Sequence, residues 1–377
     1  MGDPVSADGE TRYDTISGHL AAAGAQLDRR NGHWRVRLPK ERGVARRVEL
    51  PALQNGTMPS AIGDIVVGLA HGEPVVPVAK PDTSARRAVA RLRVPHGHDG
   101  HVIERALTRS VERLMRNDGL VRLGDDDEAI HQARVAVRTL RADLRTFVPM
   151  LDAEGSAALR RDLAPLADLL GATRDADVLT ARVARRLVNF SAQDAKELQF
   201  LLTRLNDQRN VAVEQLATFM RSGDYFSLLN RLGDVADLVV REPPASALVA
   251  LAQAPWRRLT RDVDHLSKDP SDQALHATRL RVKRARYAVE AVLPAAGKPF
   301  RSLAKSLAGL QDVLGEHQDA VVMGEFLRQA VVGTRKTATL FVAGMVAGIE
   351  HRAAAEARFA WRHAWHETRR AAPSAWS

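Results

Sequence analysis

The chain has 377 residues, enough for two or three domains with real cores, and no cysteine, which excludes disulfides, thiolate nucleophiles, iron–sulfur clusters and cysteine-bound zinc. Its 55 Lys and Arg outnumber 45 Asp and Glu, giving a net charge of +10 that suits polyanions or an anionic surface. Aromatic residues are only 5% and do not interleave with the basic clusters, which argues against the stacking platforms used for single-stranded nucleic acid.

The N-terminus, MGDPVSADGE, has neither a basic nor an apolar leader region, and its Met-Gly-x-x-x-Ser match to a myristoylation pattern is short and weak. No apolar run approaches the roughly 20 residues of a membrane span, so the expectation is a cytoplasmic protein without a membrane partner. Residues 1–80 have the texture of a small α+β segment. HWRVRLPK (33–40) and ARRVELP (45–51) alternate like strands, and 56–80 predicts a capped helix, a Gly-Pro turn and another strand. Residues 81–100 form a linker. Its His96 and His98, with His101, spell PHGHDGH, a metal-friendly run best explained as a solvated connection. From 101 to 377 the pattern is helical, with boundaries expected near Gly155, Gly171, Pro243, Pro244, Pro270, Gly297 and Gly315. His363 and His366 fall in a Trp-rich last helix whose tryptophans are expected to seal the bundle.

Within AIHQARVAVRTLRADLR (129–145), Ile130, Ala133, Val137, Leu140, Leu144, Phe147 and Leu151 recur at steps of three and four, a stripe that faces a core. One residue along, His131, Arg134, Arg138, Arg141 and Arg145 repeat that spacing in a row about 20 Å long. Only Asp143 lies within it, so the usual acidic i,i+4 partners are missing.

The row occurs twice. In ALHATRLRVKRARYAV (274–289), His276, Arg279, Lys283 and Arg286 match His131, Arg134, Arg138 and Arg141 at a separation of 145. LADLLGATRDADVL (166–179) then answers LQDVLGEHQDAVVM (310–323), placing Asp168 on Asp312, Gly171 on Gly315 and Asp175 on Asp319 at 144. Arg161 falls on Lys305, and Arg209 on Arg352 at 143. The chain is therefore two co-linear halves, about 101–240 and 245–370, separated by small loop differences. A solubilising surface has no reason to keep the same row twice.

HQARVAVRTLRADLR and HATRLRVKRARYAVE, each followed by the Leu-Gly then Asp element, resemble the two halves of the conserved-histidine α-helical (CHAD) domain over about 101–370. The resemblance implies a mainly α fold of two pseudo-symmetric four-helix halves that hold inorganic polyphosphate in a basic groove or pore. It also implies association with polyphosphate granules and their proteins. The sequence departs from strict repetition where Arg174 faces Gln318 and Thr139 faces Arg284. YDTISGHLAAAGAQLDRR (13–30) with the two strand segments resembles the middle of a CYTH, or triphosphate-tunnel, domain. That family uses metal held by a Glu-x-Glu-x-Lys strand, which is absent before Tyr13, and the later acidic strands are missing too. Metal-dependent triphosphatase chemistry is not expected, and the segment reads as a docking or remnant module. Arg29, Arg30, Arg35 and Arg37 are split between strand faces.

The candidate polyphosphate ligands are thus the two rows, with Lys298, Arg301 and Lys305 as a third (i, i+3, i+7), together with Arg161, Arg209 and Arg352. Each histidine follows acidic residues, DDDE (125–128) or Asp269-Pro-Ser-Asp272, that suit an N-cap. An imidazole at such a terminus favours its neutral form until a phosphate binds, so binding should strengthen as pH falls from roughly 7 to 6. Asp175 and Asp319 follow a glycine and open the next apolar run, as capping residues would. Joining them to His131 and His276 would give a divalent-metal site, but the arginine rows would repel the ion. No metal, cofactor or catalytic residue is expected. A metal-dependent phosphoanhydride hydrolase and a general nucleic-acid or polyanion binder remain the alternatives.

Overall fold

The computed structural model describes residues 10–15, 20, 25–38, 47–53, 56–70, 74–78, 101–123, 126–373 and 376. The linker 81–100, with His96 and His98, lies outside them, as do residues 1–9.

Five short strands open the chain: β1 (Glu10–Asp14), β2 (Gln26–Arg30), β3 (His33–Arg37), β4 (Arg47–Pro51) and β5 (Val76–Val78). They form one antiparallel sheet in the order β4-β3-β2-β1-β5. Asn31 and Gly32 join β2 to β3 with φ of 49° and 72°, the left-handed pair that a two-residue hairpin needs. Leu27, Trp34 and Val36 are buried, and helix α1 (Ser60–Leu69) turns Ile62, Ile65, Val66 and Leu69 inward. β2 escaped the sequence reading because it carries three charges in five residues. Its Asp28 is nonetheless buried, and Arg35 Nε, opposite it in the ladder, donates to it at 2.5 Å.

The rest is helical: α2 (Val102–Leu123), α3 (Asp127–Thr146), α4 (Ala153–Leu187), α5 (Ala192–Glu197), α6 (Gln199–Met220), α7 (Gly223–Gly233), α8 (Ala245–Asp264), α9 (Asp272–Ala296), α10 (Lys298–Ala330) and α11 (Thr337–Arg370). The expected mainly α fold behind a small α+β segment is what is observed. In chain order the long helices α2, α3, α4 and α6 answer α8, α9, α10 and α11. Among the described residues no helix is long and apolar enough to cross a membrane.

The residues gather into two compact units. One holds the chain up to Leu144, Val148–Arg174 and Val211–Glu242; the other holds Arg145–Phe147, Asp175–Asn210 and the chain from Pro243. In the first, Gly119 of α2 lets the helix approach α1 and the residue that follows β3, since a Cβ there would lie 3.0 Å from Ile65 and 3.2 Å from Leu38. In the second, Val183, Leu198, Leu201, Leu205, Met323, Leu327, Val342 and Val346 make a continuous apolar core.

Two expected boundaries are not boundaries. Gly171 and Gly315 lie inside the unbroken helices α4 and α10. An interior glycine costs only about 1 kcal/mol. Burying Leu163, Leu166 and Leu170 in α4, or Leu307, Leu310 and Leu314 in α10, outweighs it. Asp175 and Asp319 are therefore interior helical residues, not caps. Gly297 is a true boundary, a single residue with φ of 76° between α9 and α10.

Candidate functional site

Asp126 caps helix α3, its carboxylate accepting from the Ala129 N–H at 2.8 Å. The predicted stripe is the buried face: Ile130, Ala133, Val137, Leu140, Leu144 and Phe147 are each at most 1% exposed. That burial turns the neighbouring row partly inward. His131, Arg134, Arg138 and Arg141 are half-buried, and Arg145, one turn later, is exposed. Arg134 Nη1 donates to the carbonyl oxygen of Gly171 at 2.9 Å, pinning the guanidinium against α4. His131 Nδ1 is buried with no hydrogen-bond partner. Burial, and then the nearby Arg174 guanidinium, push its pKa below the ordinary 6.5, against a smaller opposing pull from Glu128.

Helix α9 repeats the pattern. Its cap is Ser271, whose hydroxyl accepts from the Ala274 N–H at 3.2 Å, so the expected acidic cap is replaced by a neutral one. His276, Arg279, Lys283 and Arg286 are all half-buried, the same exposure as their mates. His276 Nδ1 donates to Gln318 Oε1 at 2.7 Å. Arg279 crosses Gly315, where an added Cβ would lie 3.9 Å from its Nε. Arg286 donates to Glu290 at 2.7 Å and lies over the Tyr287 ring.

In both rows the arginine of the His-x-x-Arg step lies by the helical glycine of the Leu-Gly element, Arg134 bonding the Gly171 carbonyl and Arg279 passing beside Gly315. The rows differ beside the histidine. Gln318 offers the imidazole an acceptor, and Arg174 opposes it with a cation.

The other predicted ligands separate into two groups. Arg161, Lys298, Arg301 and Lys305 are exposed, and none has an ion-pair partner among the described residues. Arg209 pairs with Asp177 at 2.8 Å, and the exposed Arg352 pairs with Glu356 at 2.8 Å. Asp175 is exposed on α4 and Asp319 is half-buried on α10. Burial raises the Asp319 pKa although Arg279, Arg182 and Lys283 pull it down. Among the described residues, no group of three or more His, Asp or Glu is placed to hold a metal ion. His101 pairs with Glu104 at 2.9 Å. Trp361 and Trp365 are buried, with the Trp365 ring tilted by 34° against Trp256 at 5.7 Å, while His363 and His366 on the same helix are exposed.

A buried ion network was not foreseen. Arg182 of α4 donates to Glu350 of α11 at 2.8 Å through Nε and to both oxygens of Glu316 of α10 at 2.7 and 3.1 Å. Arg186 also donates to Glu350, at 2.7 Å, and the Glu350 side chain is fully buried. The strong pairing drives the Arg182 pKa far up in spite of burial. Arg182 has no basic mate in the second half, so the repeat carried no signal for it.

A helical protein built from a duplicated, half-buried basic row has a known counterpart. The CHAD domain matches residues 105–328, more than half of the chain, and the chain belongs to that family. Among solved structures, PptA from Streptomyces chartreusis superposes with a TM-score of 0.59 at 24% identity, over 71% of this chain and 99% of its own. The CHAD domain from the plant Ricinus communis gives 0.58 at 27% identity, over 71% of this chain and 91% of its own. The uncharacterized proteins Rv2226 and MT2285, from two strains of Mycobacterium tuberculosis, are 29% and 28% identical over 255 residues, 65% of this chain. The chain spans about half the length of these curated relatives, 48% in each case.

Proposed function

We propose that this chain binds inorganic polyphosphate along its two basic rows and acts as a binding module at polyphosphate granules in the cytoplasm. The observation that supports the reading is the duplicated, half-buried basic row, with Arg134 bonding the Gly171 carbonyl and Arg279 lying beside Gly315. A polyphosphate chain carries about one negative charge per phosphoryl unit, and a line of half-buried, pre-positioned cations meets it without any base-reading geometry. His131, Arg134, Arg138, Arg141 and Arg145 serve one row, and His276, Arg279, Lys283 and Arg286 the other. Lys298, Arg301, Lys305 and Arg161 extend the contact at the exposed edge. Arg209, Arg286 and Arg352, each with an acidic partner, contribute less. We read the N-terminal sheet as a tunnel-like docking segment, and take the chain as a polyphosphate binder and not as an enzyme.

The test is a titration with long-chain polyphosphate in EDTA at near-physiological salt, with single-stranded DNA and heparin competing at matched charge. Polyphosphate should win by about tenfold or more, or 1.4 kcal/mol, and Arg134→Glu/Arg279→Glu should abolish the preference. Equal binding of all three polyanions would favour a nucleic-acid or general polyanion binder. Release of orthophosphate on adding a divalent metal would favour the hydrolase.

A further inference from the structure

We propose that the exposed face of α11 pairs with the same face of a second copy of this chain, the two helices running antiparallel. The inference goes beyond the polyphosphate reading and does not depend on it. Helix α11 buries Val342, Ala343, Val346 and Trp361 on its inner side. Its outer side is not the polar face that a solvated helix presents. Phe341 is 66% exposed, Phe359 89%, Met345 43% and Ile349 37%. Positions 341, 345, 348, 352, 355 and 359 follow one another at steps of four and three, so Gly348, Arg352 and Ala355 complete a single stripe, with Ile349 beside it. The stripe runs five turns, about 27 Å. With ordinary side-chain areas, these exposures leave roughly 400–500 Å² of apolar surface in each copy, the size at which a patch marks an interaction site. Two copies together reach the roughly 1,000 Å² that a specific interface needs.

The occupant that fits this face is the face itself. Its steps read 4-3-4-3-4 and are the same in either direction, so the stripe is its own complement about a two-fold axis level with Glu350. In that pairing Phe341 meets Phe359 of the second copy at each end, and Met345 meets Ala355. Arg352 falls opposite Gly348, and Glu356 opposite Gly344. Arg352 and Glu356 are joined at 2.8 Å on their own helix. A Cβ added at Gly344 or Gly348 would meet nothing within 4 Å, so the backbone there is open. An ion pair spaced by four residues thus faces two glycines spaced by four, which leave room for both charged side chains. The Arg352 stem adds apolar contact while its head stays paired. A parallel pairing would instead set Arg352 against Arg352 and Glu356 against Glu356, opposing like charges. Charge and shape both select the antiparallel arrangement.

The experiment is sedimentation velocity of the full chain from about 1 to 300 µM without polyphosphate, with circular dichroism to confirm that each variant is folded. An interface of this size should give a dimer with a Kd of about 10 µM. Phe341→Glu/Phe359→Glu should weaken it by about tenfold or more. Gly348→Leu is the discriminating variant: it adds apolar surface and helix propensity but fills the space opposite Arg352, so it too should weaken the dimer. Because the chain has no cysteine, introduced thiols report the pairing without background. Met345→Cys/Ala355→Cys should form an interchain disulfide on oxidation. Neither single variant should, since each thiol then lies about 15 Å along the helix from its own copy. A wild type that stays monomeric to about 300 µM would overturn the inference. So would an association that Gly348→Leu strengthens, which is the behaviour of a merely adhesive surface, or one in which the single-cysteine variants cross-link, which is the behaviour of a parallel pair.

Discussion

Arg134 holds the Gly171 carbonyl at 2.9 Å, across 37 residues of chain, from a helix face whose neighbouring stripe is fully buried. A carbonyl oxygen has two lone pairs, and within a helix only one is used by the i+4 amide. The guanidinium takes a spare acceptor and is held in place before any ligand arrives.

Arg134→Lys keeps the charge but loses the planar fork, so one ammonium cannot reproduce the anchored geometry. Polyphosphate affinity should fall by about tenfold, and stability by about 1 kcal/mol for the lost hydrogen bond. Titration beside chemical denaturation separates the two effects. Equal affinity for the lysine variant would mean that charge alone matters at this position.

Replacing Arg174 by Gln would give His131 the neighbour that His276 has. The cation that depresses the imidazole would go, so the His131 pKa should rise in Arg174→Gln, as read by histidine NMR against pH. In the wild type the depressed pKa means the unfolded chain takes up the proton more readily. The associated stability is present above 6.5 and is lost as pH falls through the folded-state value. His317, buried and likewise depressed, adds to the same acid-side loss. The expected strengthening of binding with acidity therefore moves lower at His131 than an exposed histidine would place it.

Glu350→Gln removes a fully buried carboxylate that accepts from both Arg182 and Arg186. Breaking one side of such a buried pair costs about 3–5 kcal/mol, because the remaining charge is left uncompensated. Thermal and denaturant unfolding should both show it. A loss under 1 kcal/mol would mean that Glu316 alone satisfies Arg182.

Tyr225→Phe tests a second buried cluster. The phenol donates to Asp118, which also accepts from Arg122 Nε at 2.8 Å, and burial raises the phenol pKa well above its ordinary value. The variant leaves Asp118 short of one donor and should lose about 1–3 kcal/mol while polyphosphate affinity stays unchanged. A variant as stable as the wild type would show that the Arg122 pair suffices for Asp118.

The two rows and the buried stripe beside them were legible because both are local: three-and-four spacing is a property of one helix, and duplication made it stand out. The path of the chain through Gly171 and Gly315 was not. Glycine weakens a helix only slightly, and the apolar contacts that keep α4 and α10 unbroken come from distant segments. The same error turned Asp319 into a cap when it is an interior residue of α10. Arg182 and Glu350 are 168 residues apart and Arg182 lacks a basic repeat mate, so only the folded chain brings the pair into view. At β2, the pairing of Asp28 with Arg35 hid a buried strand behind a polar sequence.

The single residue Gly297 between α9 and α10 stands where the first copy has a six-residue connection holding a short 3-10 turn, Val148–Met150. An arginine lies by the helical glycine in both copies although the joints that deliver it differ. After duplication, divergence was tolerated in the connectors and absorbed there. Distant members should accordingly be sought by the interval from the His-x-x-Arg step to the helical glycine, which tolerates a change of one residue, more than by the motif around either residue alone.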